Sequence, residues 1–324
     1  MFTFIQQLKK FRPGSFFNFE KKIQRPLITN EEMLELLFYV QSNKKSQQHK
    51  KDIAFRQIGD VRSIYRGHGM DYEESRRYQA GDDPRYMNWQ LSARTGQHYM
   101  KIFREERQPG VFILLDRRQS MRFGTQQHLK VTQAVRAAAL AAFSAQEKNY
   151  SIGGAILDND IEWFKESKNK QAAFNFIQQA ARPAPPLFES KIKEPDITDI
   201  LPLLNEILSS GSIVYLISDF HDLDEKSQAT LLQLSTLHQV YAIQITDPAE
   251  INLPKAGVLT LKSSAHCKPQ KLNTNALAQQ KTYQTKAKDY FSVKKSLFED
   301  IAIPYTTLLT TDKKIEERFF SNNE

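Results

Sequence analysis

Residues 76–121 read RRYQAGDDPRYMNWQLSARTGQHYMKIFREERQPGVFILLDRRQSM, and the second half of that stretch decides the fold. Val111 to Leu115 is an apolar run without alternation that ends on a carboxylate, Asp116. Such a run reads as a strand buried on both faces, inside a parallel sheet covered by helices. The first half is dense in arginine, acid and aromatic residues and is punctuated by Gly81 and Gly96, so it reads as a specified, non-helical segment feeding that strand.

Downstream the pattern alternates. A helix is expected from Gly124 to Lys148, its buried stripe built from Leu129, Val135, Ala138, Ala139, Ala142 and Phe143. A strand follows at 150–157, then a turn at Asp158–Asp160 into a hairpin strand at 161–164. Helices are expected at 171–181 and 196–209. A second wholly apolar strand, 212–218, again ends on a carboxylate, Asp219. Helix 223–237, strand 239–246, helix 280–301 and strand 303–309 complete the series. Apolar strands alternating with helices give an α/β class with a doubly wound, mostly parallel sheet over residues 111–320.

Upstream, residues 51–110 lack long helical periodicity and read as a smaller β-rich unit with a strand at 97–104. Residues 1–50 read as an N-terminal arm with one helix and a basic linker. Thr29 caps that helix, Glu32 reaches back, and Ile28 staples onto Met33. The helix is expected to end near Val40, with Gln41–Lys51 as linker.

The chain has 324 residues, 40% hydrophobic and 25% charged, an ordinary globular composition. Its single cysteine, Cys267, excludes an intrachain disulfide and fits a reducing cytoplasm, the expected location. No apolar run approaches the roughly 20 residues of a membrane span. The opening MFTFIQQLKKFRPGSFF lacks the apolar core of a secretory signal; it reads as a terminal arm, with a weak interfacial helix as the alternative. The net charge is +8, and Lys255 to Lys295 holds nine lysines against one acid, Asp289. Because Tyr283 and Tyr290 fall at core spacing rather than among the lysines, this reads as a solvated face, and nucleic acid is not the expected partner.

Asp116 and Asp219 each close an apolar strand on its carboxyl side, where open α/β sheets bind ligands. With Ser120 beyond the first strand and Thr198 before the second, they form a hard, oxygen-only set of the kind that holds Mg²⁺. This arrangement resembles the metal-ion-dependent adhesion site of a von Willebrand factor type A domain. There D-x-S-x-S follows the first strand, and a Thr and an Asp come later. Asp116-Arg-Arg-Gln-Ser120 fills the first motif, Thr198 matches the Thr and Asp219 the Asp. Arg118 stands where the first Ser belongs, so the site reads as degenerate and divalent-metal binding is expected to be weak or lost.

The stretch YQAGDDPRYMNWQLSART also resembles the signature of the bacterial family known as domain of unknown function 58, built on the same A-type domain. Tyr78, Gly81, Asp82, Asp83, Arg85, Trp89, Ala93 and Arg94 match, while Asn88 replaces the usual Asp. Further likeness runs through Arg104–Arg107, Leu216–Phe220, Thr246–Pro254 and Ala302–Thr310. The resemblance implies a non-enzymatic partner of MoxR-type AAA+ ATPases in a chaperone-like system, acting with a client protein that the sequence does not name. The expected partner-binding residues are Asp116, Arg118 and Asp219 at the degenerate site, with Arg118 pairing directly with an acidic partner side chain. Asp82, Asp83, Arg85, Trp89 and Arg94 of the signature join them, and that segment reads equally as an internal Arg–Asp network. The alternatives are a metal-dependent phosphodiesterase using Asp82, Asp83 and Glu105, and a basic nucleic-acid or membrane-surface binder. No phosphate-binding G-x-x-x-x-G-K-[ST] loop, G-x-S-x-G elbow, H-E-x-x-H or paired C-x-x-C supports an enzyme.

Overall fold

The computed structural model describes residues 26–57, 71–79, 81–104, 110–184, 194–261 and 270–321. The chain divides into two compact units, one of residues 1–46 and 109–324 and one of 47–108. In chain order the elements begin with α1 (Asn30–Gln57), β1 (Asp71–Arg77), α2 (Trp89–Thr95), β2 (Tyr99–Arg104) and β3 (Val111–Asp116). Next come α3 (Lys130–Glu147), β4 (Ile152–Leu157), β5 (Ile161–Ser167), α4 (Ala172–Ala180), α5 (Ile197–Ile207) and β6 (Ile213–Ser218). The series ends with α6 (Ser227–Leu237), β7 (Gln239–Thr246), α7 (Pro248–Ile251), β8 (Val258–Leu261), β9 (Gln270–Asn273), α8 (Leu277–Glu299), β10 (Tyr305–Leu309) and α9 (Ile315–Ser321).

Six strands form one sheet in the order β10-β7-β6-β3-β4-β5. All neighbours run parallel except β5, which returns antiparallel on β4. The chain leaves β3 for β4 on one side and later resumes at β6 on the other. The strand order therefore reverses between β3 and β6, and the carboxyl ends of these two strands flank the switch point. This is the mostly parallel α/β architecture expected from the apolar runs.

Strand alternation sorts the core onto two faces. Ile113, Leu115, Ile217, Ile243 and Ile245 face α1, α3, α4 and α9. Phe112, Leu114, Val214, Leu216 and Ala242 face α5, α6 and the end of α8. Helix α3 is buried nearly all round, and its alanines let it lie close on the sheet. Gly154 serves the same closeness on β4, because a Cβ there would lie 2.6 Å from the Ile113 carbonyl oxygen and 2.6 Å from the Phe176 ring.

Three expectations change. Helix α1 runs to Gln57, so the basic segment 41–51 is helix and not linker. No Gly or Pro interrupts residues 30–57, and Gln, Lys and Ser cost little in a helix. The arm is also not separate, for Ile28, Met33, Leu36 and Val40 belong to the core beneath the sheet. Helix α3 starts at Lys130 and not Gly124, because the preceding segment serves the carboxyl edge of the sheet. The opening residues 1–25 lie outside the described residues. No helix among the described residues is long and apolar enough to cross a membrane.

Candidate functional site

Four adjacent strands deliver a carboxylate to the same edge: Asp158 after β4, Asp116 at the end of β3, Asp219 after β6 and Asp247 after β7. Carboxylates withdrawn from water need compensating donors. Most come from one segment, residues 117–130, which runs from the end of β3 to the first residue of α3.

Arg118 is 1% exposed and serves Asp116, which is 0% exposed. Its Nε donates to Asp116 Oδ1 at 3.0 Å and one terminal nitrogen to Oδ2 at 2.7 Å. That nitrogen also donates to Asp222 Oδ1 at 3.3 Å. The other donates to Asp222 Oδ2 at 2.6 Å and to the Pro195 carbonyl at 3.0 Å. A guanidinium has five N–H donors, and here every one has an acceptor. Asp116 is equally filled, accepting further bonds from the Arg118 amide at 2.9 Å and from Ser218 Oγ at 2.5 Å.

Lys130, also 1% exposed, does the same work one strand along. Its ammonium donates to Asp219 Oδ2 at 2.8 Å and to Glu250 Oε1 at 2.7 Å. The other Asp219 oxygen lies 3.0 Å from His221 Nδ1. Burial alone would raise the Asp219 pKa, but Lys130 and His221 outweigh it and hold the carboxyl well below 3.8. Burial likewise opposes ionisation of Asp222, and Arg118 overrides it and lowers that pKa.

The rest of the segment completes the edge. Arg122 reaches Asp158 at 2.6 Å. Arg117 closes the carboxyl end of α4 by donating to the Gln179, Ala180, Arg182 and Pro183 carbonyls, where a cation also suits the helix dipole. Thr125 donates twice to Asp247. Phe220, fully buried, takes φ 53°, a left-handed conformation costly for a bulky residue. Its N–H donates to Ser218 Oγ at 3.0 Å and its ring packs 4.9 Å from that of Phe298.

Of the residues expected to form an adhesion-type site, Asp116 and Asp219 do lie at the ends of neighbouring strands. The expectation that Arg118 captures a partner's carboxylate is corrected, since its donors are spent internally and it is buried. Asp116 is sealed by the same bonds. Ser120 Oγ lies 3.5 Å from His221 Nδ1. Thr198 sits in the first turn of α5, but the contact that ties this helix to the edge is Ile197 N–H to Asp222 Oδ2 at 2.7 Å. The set does not fit a divalent cation, because the lone-pair positions of Asp116 are occupied and Asp219 is neutralised by Lys130. Ser120, His221 and Asp219 are no nucleophile relay either. Serine and carboxylate share one ring nitrogen, whereas a relay needs one on each. Asp222, Lys130 and Glu250 were not singled out from sequence, and their pairing depends on residues far along the chain.

The smaller unit carries the GDD signature by itself. Asp82 accepts a bidentate fork from Arg76 at 2.6 and 2.9 Å and the Gln79 N–H at 2.8 Å, and these bonds lower its pKa. Asp83 caps the short turn Pro84–Tyr86 through Arg85 N–H. Asn88 caps α2 by accepting from Leu91 N–H and donates to Ser75 Oγ at 2.9 Å, a donation the usual Asp could not make when ionised. The carboxylates are thus used in building the turn. Trp89 stands 64% exposed on the first turn of α2, and the Arg85 side chain is 88% exposed. Tyr86 and Arg94 are exposed as well. Glu105, the third carboxylate of the phosphodiesterase reading, lies outside the described residues.

The family described as "Protein of unknown function DUF58" matches residues 74–291. Uncharacterized proteins of Mycobacterium tuberculosis and Mycobacterium bovis are 26% identical over 207 residues, which is 64% of this chain and 64% of theirs. The chain therefore spans less than two thirds of the length of these relatives. Among solved structures, a conserved hypothetical protein BatB from Bacteroides thetaiotaomicron aligns with a TM-score of 0.37 at 13% identity, over 60% of this chain and 98% of that one. An aerotolerance-related membrane protein from Bacteroides fragilis aligns with a TM-score of 0.36 at 16% identity, over 60% and 98%.

Proposed function

The chain belongs to the DUF58 family of proteins of unknown function, and from that premise we propose that it is a non-enzymatic interaction module. Its partner is a MoxR-type AAA+ ATPase, which supplies the energy for remodelling or activating a client complex. The docking surface is the exposed face of the GDD signature, not the carboxyl edge of the large sheet.

One observation carries this reading. Asp82 is held by Arg76 and Gln79 and Asp83 caps the Pro84–Tyr86 turn, while the Trp89 indole and the Arg85 side chain project into solvent. An exposed Trp and an exposed Arg in one short segment have the composition of an interface hot spot. A hydrolytic site would need free carboxylates facing a metal or a nucleophile, and Asp82 is committed to Arg76.

The test is capture of a purified MoxR-type ring by the immobilised full chain, with and without a non-hydrolysable ATP analogue. Nucleotide-dependent capture that falls at least tenfold in Trp89→Ala and Arg85→Ala supports the assignment. Absence of capture by the wild-type chain, or equal capture by both variants, refutes it.

A further inference from the structure

Arg118 joins three separate segments: the end of β3 through Asp116, the entry to α5 through the Pro195 carbonyl, and the loop after β6 through Asp222. All five acceptors are hard oxygens from carboxylates and a main-chain carbonyl, the ligand type that a divalent cation of the Mg²⁺ or Ca²⁺ class selects. Ser218 Oγ, bonded to Asp116, adds a sixth oxygen to the set. Asp222 also receives the first amide of α5, so the same contact set positions that helix. The positive charge sits where acidic groups from distant parts of the chain converge, and it is covalently attached to one of the segments it joins.

We propose that Arg118 is a built-in replacement for a bridging divalent cation. It locks the carboxyl edge permanently in one arrangement, and it masks a latent cation site made of Asp116, Asp222, Ser218 and the Pro195 carbonyl. The edge is then independent of metal supply, and removing the guanidinium converts it into a metal-dependent one. This holds whatever partner the second unit binds.

Thermal unfolding of the full chain decides the matter. The wild-type midpoint is expected to be the same with EDTA, Mg²⁺ or Mn²⁺. Arg118→Ser is expected to unfold at lower temperature in EDTA and to regain stability saturably with Mn²⁺ or Mg²⁺, since a ligand that binds only the folded state raises its stability. Adding Asp116→Asn to that variant should abolish the recovery. If Arg118→Ser does not accumulate in folded form, its refolding from urea with and without Mn²⁺ gives the same information. A yield that depends on Mn²⁺ supports the proposal, and an equal yield overturns it. A wild-type midpoint raised by Mn²⁺ in an Asp116-dependent manner, or an Arg118→Ser midpoint indifferent to every cation, also overturns it.

Discussion

Arg118 and Asp116 are bonded three times within one turn of chain: amide to Oδ1 at 2.9 Å, Nε to Oδ1 at 3.0 Å, and a terminal nitrogen to Oδ2 at 2.7 Å. The side-chain pair is bidentate, a geometry that an ammonium cannot reproduce. Arg118→Lys keeps the charge and loses the fork together with the reach to Pro195. The expected loss is roughly 1.5–3 kcal/mol, the value of hydrogen bonds to charged groups. Urea unfolding at neutral pH measures it, and a lysine variant as stable as the wild type would show that charge alone suffices.

Lys130 is the sole ammonium against Asp219 and Glu250 in the described contacts. Lys130→Met leaves a buried negative charge uncompensated, which typically costs about 3–5 kcal/mol. Adding Glu250→Gln relieves part of the repulsion and should recover part of the loss. Full additivity of the two substitutions in a double-mutant cycle would contradict the coupling.

These two clamps show where sequence reading stops. The sheet was legible because Val111–Leu115 and Ile213–Ile217 are apolar without alternation, and only a doubly covered strand accommodates that. Arg118 was legible as a neighbour of Asp116 because the two are close along the chain. Its second partner, Asp222, lies 104 positions away, and no local pattern announces it. Nothing local marks Lys130 for burial, since its partners stand 89 and 120 positions distant. For residues 41–51 the reason differs: a polar, basic run is compatible with helix and with linker alike, so its composition does not choose between them.

His221 and His238 should shape stability in opposite directions. Burial pulls the His221 pKa down, but the hydrogen bond and charge of Asp219 outweigh it and raise it above 6.5. Burial lowers that of His238, neither of whose ring nitrogens has a hydrogen-bond partner among the described residues. By linkage, the raised group contributes stability that is complete below pH 6.5 and is lost as pH climbs through its folded value. The lowered group contributes stability that is complete above pH 6.5 and is lost as pH falls toward its folded value. Urea unfolding across about pH 5 to 8 is expected to give a shallow maximum. His238→Leu should flatten the acid side and His221→Gln the alkaline side; a variant that leaves its own side unchanged refutes the assignment for that residue.

Gly154 is held to no side chain by β3 beside it and by the helix α4 packed on its strand. A Cβ would meet the Ile113 carbonyl oxygen, which is backbone, and the Phe176 ring, which is locked in the core. Neither yields easily, so Gly154→Ala is expected to destabilise by about 1–3 kcal/mol, the usual cost of overpacking. Gly154→Ala with Phe176→Leu relieves only the ring clash and should recover part of the loss. An alanine variant at wild-type stability would mean that β3 and β4 can part at no cost.

Asn88 and Trp89 are adjacent in the chain and should separate cleanly into scaffold and surface. Asn88 supplies the cap of α2 and the bond to Ser75, so Asn88→Ala should weaken that helix by about 1 kcal/mol. Trp89 is mostly exposed, so Trp89→Ala should stay within about 0.5 kcal/mol of the wild type. Amide hydrogen exchange within Trp89–Thr95 reads both at once: faster in the first variant and unchanged in the second. If Trp89→Ala also accelerates exchange, the indole supports the small unit from within, and its loss could no longer be read as the loss of a docking contact.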